Sequence, residues 1–132
     1  MAGRRPDVNL KRAYEPPSSR DGTRILVDRL WPRGVKKAKA HIDLWLRDVA
    51  PSAALRQWFG HDPARWSEFR RRYRGELKRQ PEALAQLRAL ARQGRITLVF
   101  GARDERRNQA VVLKSVLAGR SATRARRAVL AR

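Results

Sequence analysis

Two apolar runs rich in branched residues, Ile25-Leu26-Val27 and Ile96-Thr97-Leu98-Val99-Phe100, stand far apart in the chain, and most of residues 28–95 between them is patterned for helix. Strands joined by a helical connection of that length cannot make a hairpin. They pair parallel, with the crossover helices packed on the sheet. In open parallel sheets a ligand crevice lies beyond the carboxyl ends of the strands, so the residues that follow each run are the first place to look for a site.

After the first run the chain reads Asp28-Arg29-Leu30-Trp31-Pro32-Arg33-Gly34. Pro32 has no N–H for a strand ladder and pushes Trp31 toward an extended or turn conformation, so the strand leaves the core here. The second run is followed by Gly101, Arg103, Asp104 and Asn108. Both predicted strands therefore end in an arginine–carboxylate pair.

Around these runs, Val8–Tyr14 reads as a strand and Glu15–Gly22 as a proline-, serine- and glycine-rich loop. Ile42, Trp45, Leu46 and Val49 recur at helical spacing and predict a helix over His41–Val49. Pro51 ends it and Ser52 caps a short helix bearing Leu55, Trp58 and Phe59. In Gly60-His61-Asp62-Pro63 the glycine ends that helix, Asp62 caps the next and Pro63 takes its first position, which leaves His61 without a local reason. A helix over about Pro63–Lys78 buries Trp66, Phe69, Tyr73 and Leu77 and displays the arginines of Arg70–Arg74 as a solvated face. Another runs from Pro81 to Gly94, and a last one over about Glu105–Ala118 is closed by Gly119. The expected fold is a single α/β domain over residues 1–118, with a small, mainly parallel sheet of three to four strands and about five helices. Residues 119–132 would form a basic, flexible tail.

Composition narrows the chemistry. The 132 residues contain no cysteine and only two histidines, which excludes a disulfide, a thiolate nucleophile and a thiolate metal site, and no metal or other cofactor is expected. No run of about eighteen apolar residues is present and no apolar segment follows the N-terminus, so the chain is expected to be cytoplasmic, with no membrane span. Lys and Arg number 32 against 12 acidic residues, for a net charge of +20. A charge of that size attracts anions and favours non-specific association with nucleic acid, although basic residues occur in every region, as a compositional bias would also place them.

The run Val27–Gly34, together with Trp45-Leu46, Ala50-Pro51-Ser52, Trp58–Pro63, Phe69, Tyr73, Arg103-Asp104 and Asn108 with Ala110–Leu113, resembles the YeaO-like family, domain of unknown function 488. The resemblance covers most of residues 8–118. It implies a small bacterial, cytoplasmic α/β domain and brings no established reaction. Related branches carry a cysteine after the last strand, where this chain has Phe100-Gly101-Ala102, and a histidine where it has Arg107.

Three functions follow from these residues. Arg29, Arg33 and Arg103, with Trp31 and Asn108, would form a fork-shaped receptor for a phosphate or carboxylate, aided by backbone N–H groups of Gly101–Asp104. The distributed arginines would alternatively bind nucleic acid. An enzyme would use Asp28 or Asp104 as base and His61 as acid. Against all three stands a structural alternative, in which Asp28–Arg103 and Asp104–Arg29 ion pairs close the strand ends and Trp31 belongs to the core.

Overall fold

The computed structural model describes residues 6–130, with side chains through Gly119. Four strands form one sheet: β1 (Val8–Arg12), β2 (Thr23–Leu26), β3 (Leu44–Trp45) and β4 (Ile96–Phe100). Their order is β1-β4-β2-β3 and every pairing is parallel. The helices are α1 (Lys37–Ala40), α2 (Ala53–Phe59), α3 (Trp66–Leu77), α4 (Pro81–Gln93) and α5 (Gln109–Leu130), with 3-10 turns at Ser19–Asp21, Arg47–Val49 and Pro63–Arg65. The chain is one α/β domain, as the long crossover predicts.

β4 lies centrally and all five of its residues are buried. Alternation along the strands divides the core in two. Ile25, Val27, Ile96, Leu98 and Phe100 pack with Leu55, Phe59, Phe69, Tyr73, Leu87, Leu113 and Leu117 from the helices. Leu26 and Val99 face the other way, against Ala13 and the partly buried Trp31, Val35, Ile42 and Trp45. On that thinner side a buried polar cluster replaces a helix layer. Asp21 accepts from Lys11 at 3.2 Å and from Arg24 at 2.6 Å, and Arg24 also donates to the Ala40 carbonyl at 3.0 Å.

Two expectations change. The helix over His41–Val49 does not form, because this segment completes the open edge of β2. Asp43 exchanges hydrogen bonds with the Arg24 backbone, at 2.9 Å from its N–H and 2.8 Å to its carboxylate, and the Leu46 N–H reaches the Leu26 carbonyl at 2.9 Å. Ladder bonds from a neighbouring strand override the local helical period. At the other end, α5 runs through Gly119 to Leu130. One glycine costs only about 1 kcal/mol in a helix, and the alanine- and arginine-rich sequence beyond it favours continuation. Residues 131–132 of the expected tail lie outside the described residues.

Candidate functional site

The parallel pairing of β2 with β4 continues one step past β2, where the Val27 N–H bonds the Val99 carbonyl at 3.0 Å. Both chains then turn out of the sheet side by side, which brings Asp28 against Gly101. Asp28 Oδ2 accepts from the Gly101 N–H at 2.9 Å and Oδ1 accepts from Gln109 at the start of α5. A side chain at Gly101 would force Asp28 to shift, since a Cβ there would stand 2.9 Å from Asp28 Oδ2. Burial pushes the Asp28 carboxyl up to about 6, against the opposing pull of the Gly101 N–H, of Gln109 and of the Arg56 charge.

Beside this junction lies a cleft with two chambers. The larger, about 550 Å³, has Phe59, Phe69, Pro51 and Ala53 among its walls, with Arg29, Arg56, Arg107 and His61. The smaller, about 260 Å³, is lined by Asp28, Tyr14, Trp31 and Arg33 together with Arg29, Arg56, His61 and Gln109. Arg29, Leu30, Pro51, Arg56, His61 and Gln109 border both chambers, so the two adjoin. Arg29 is held in place from Nε and Nη2, each 3.3 Å from the Pro51 carbonyl. Among the described residues, no carboxylate lines the larger chamber, and Asp28 is the one that lines the smaller.

The residues singled out in the sequence separate into groups. Arg29, Arg33, Asp28 and His61 all reach the cleft. His61 follows the left-handed Gly60 and is itself left-handed, with φ 57°, a conformation uncommon for a residue with a side chain. Trp31 borders the smaller chamber, but its indole N–H donates to the Val35 carbonyl at 2.6 Å and its ring meets Trp45 edge-on at 5.5 Å, so it mainly closes the thinner side of the core. Asn108 borders the larger chamber, yet it is 2 % exposed and works as the cap of α5: its amide donates to the Asp104 carbonyl at 2.9 Å and its oxygen accepts from the Val111 N–H at 3.1 Å.

Arg103 is exposed and borders neither chamber, nor does Asp104. The Asp104 carboxyl is held below its ordinary value by the Arg106 N–H, against some desolvation, with help from the N–H and guanidinium of Arg107. The expected Asp28–Arg103 and Asp104–Arg29 ion pairs do not form: Asp28 bonds Gly101 and Gln109, Asp104 bonds Arg106 and Arg107, and Arg29 bonds the Pro51 carbonyl. Of the backbone N–H groups of Gly101–Asp104 expected to receive an anion after β4, that of Gly101 is engaged. It serves Asp28, and those of Arg106 and Arg107 serve Asp104.

Arg56 and Gln109 escape the sequence reading. Arg56 lies on the polar side of α2, where helical periodicity assigns a solvated residue, and nothing local marks it as facing a cleft. The arginines of α3 are engaged within the domain: Glu68 holds Arg71 at 2.6 Å and Arg72 at 2.8 Å, Arg70 stacks on Trp66, Arg72 stacks on Trp58, and Arg74 donates to Ser115 at 3.1 Å. Among the described residues no group of three or more His, Cys, Asp or Glu is placed to hold a metal ion, and no helix is long and apolar enough to cross a membrane.

The family model described as the inactive DUF488-N3 subclade matches residues 7–130. The uncharacterized protein Rv3073c of Mycobacterium tuberculosis is 43% identical over 113 residues, which span 86% of this chain and 95% of that protein. The uncharacterized protein YeaO of Escherichia coli is 37% identical over 107 residues, spanning 81% and 93%. No solved structure shows a significant match.

Proposed function

Since the chain belongs to the DUF488 family, we propose that it is a binding domain that takes up a small phosphate- or carboxylate-bearing ligand in the arginine-walled cleft beyond the ends of β2 and β4. One observation carries this reading. Arg29, Arg33, Arg56 and Arg107 converge on a cleft whose one lining carboxylate, Asp28, is hydrogen-bonded to Gly101 and Gln109 and to no guanidinium. Arg107 is paired with Asp104 at 3.3 Å, but Arg29, Arg33 and Arg56 make no ion pair among the described residues. Such guanidinium groups offer paired donors in a plane, the geometry that phosphate and carboxylate accept. The receptor differs from the sequence expectation: Arg56 joins Arg29 and Arg33, Arg107 borders the larger chamber while paired to Asp104, and Arg103 leaves.

A binding role also agrees with the description of the subclade as inactive and with a sequence that has no thiolate to offer. The enzymatic alternative has less support, because Asp104 stands outside both chambers with its oxygens engaged.

The test is calorimetric titration with inorganic phosphate at fixed ionic strength. Saturable binding should weaken at least tenfold in Arg56→Ala, which alters an exposed residue, and stay unchanged in Arg103→Ala. Equal behaviour of the two variants would overturn the cleft. If phosphate binding were also diffuse and affinity for a random DNA duplex fell steeply with salt, the distributed charge and nucleic acid would take its place.

A further inference from the structure

We propose that the ligand is an organic anion with two unlike ends, a phosphate or carboxylate head and an apolar body the size of a ring or short chain. The inference rests on the anion-binding reading above and adds the class of molecule. The two chambers differ in kind. Arg29 and Arg56 stand at the seam between them, whereas the larger chamber extends away from the seam over Phe59, Phe69 and Ala53. Its aromatic wall is rigid: Phe59 and Phe69 stack at 4.4 Å between ring centroids, and Phe69 stacks in turn on Trp66 at 5.7 Å. At about 550 Å³ this chamber alone falls in the range of sites that hold organic small molecules, roughly 300–1,000 Å³. An inorganic anion would leave most of it to water against apolar walls.

A second observation points the same way. The large hydrophobic side chains exposed among the described residues are Leu30, at 65%, and Tyr14, at 49%, and both stand at this cleft. Leu30 borders both chambers from the loop after β2, with nothing of its own to cover it. Exposed apolar side chains gathered at a concave, cationic mouth are what an amphipathic ligand would cover.

Titration of the full chain with matched probes tests this: phenyl phosphate against inorganic phosphate, and benzoate against acetate, all at one ionic strength. Within at least one pair the aromatic member should bind ten times more tightly or better, with a negative heat-capacity change from buried apolar surface. The pair with the larger gain identifies the head group. Ala53→Trp, at an exposed position in the first turn of α2, should fill the larger chamber and bring the aromatic-to-plain affinity ratio close to one. Leu30→Ser, an exposed change that does not touch the core, should lower the same ratio severalfold.

Equal affinities within both pairs for the wild type would overturn the two-ended ligand while leaving the anion site standing. So would a ratio indifferent to both substitutions. If none of the probes bound, the anion-binding reading would fall and this inference with it.

Discussion

Asp28 joins both halves of the fold at some cost to itself. Its two hydrogen bonds tie β2 to the start of the β4–α5 loop and to α5, yet burial holds its carboxyl up at about 6. A carboxyl whose folded value lies above its unfolded one binds more protons in the native state over the window between them. Stability therefore falls as pH rises from about 4 to about 6, by up to about 3 kcal/mol, and the penalty persists at higher pH. Glu68, held down to about 2 first by the Arg71 and then by the Arg72 hydrogen bond, acts in the opposite sense and at lower pH, where its favourable contribution is lost. Asp28→Asn keeps an oxygen for the Gly101 N–H and can turn its amide toward the Gln109 oxygen, so it removes the charge without removing the joint. The variant should be about 1–2 kcal/mol more stable than wild type at pH 7.5, and the difference should shrink toward pH 4. Thermal melts across that range check this. A variant less stable at every pH would mean that the carboxylate's hydrogen bonds outweigh its desolvation.

At the scale of elements, the parallel β2–β4 pair, its helical crossover and the emergence of Asp28 and Gly101 side by side were legible from two apolar runs and the distance between them. The aromatic stripe of α3 was legible from its period. β3 was not, because Ile42, Trp45, Leu46 and Val49 satisfy a helical spacing while the deciding bonds to Arg24 and Leu26 come from another strand. Arg56 and Gln109 were illegible for a similar reason: their role depends on where two helices end in space. The thinner face of the sheet was legible only as a polar loop, and there the Ser19–Asp21 turn is bound to β1 and β2 through Asp21, which is 3 % exposed. Asp21→Ala would leave Lys11 and Arg24 buried or nearly so without their shared carboxylate. Breaking a buried pair from one side costs about 3–5 kcal/mol. Urea denaturation should show a loss near the lower figure, since Arg24 keeps its bond to the Ala40 carbonyl. A loss below about 1 kcal/mol would show that water replaces the ion pair.

For the whole molecule the question is how a net charge of +20 can serve one cleft. Charges more than about 10 Å from a bound anion are largely screened at 0.1 M salt, so the dispersed arginines steer encounter more than they hold the complex. On the proposed binding role, holding would fall to the cleft arginines and be opposed by Asp28 when it is ionised. Protonation of Asp28 on passing below pH 6 removes that opposition, so anion affinity should rise as pH falls, and by linkage a bound anion should raise the Asp28 value further. A unit charge about 4 Å away is worth about 1 kcal/mol even in water, which corresponds to roughly fivefold in affinity. Sulfate keeps its charge across this range and is the suitable probe. Its affinity should rise about fivefold or more between pH 7.5 and 5.5 in the wild type and stay nearly flat in Asp28→Asn. His61 lines both chambers, so His61→Gln must be measured alongside. A pH dependence that survives in Asp28→Asn and disappears in His61→Gln would transfer control of the cleft from the carboxylate to the histidine.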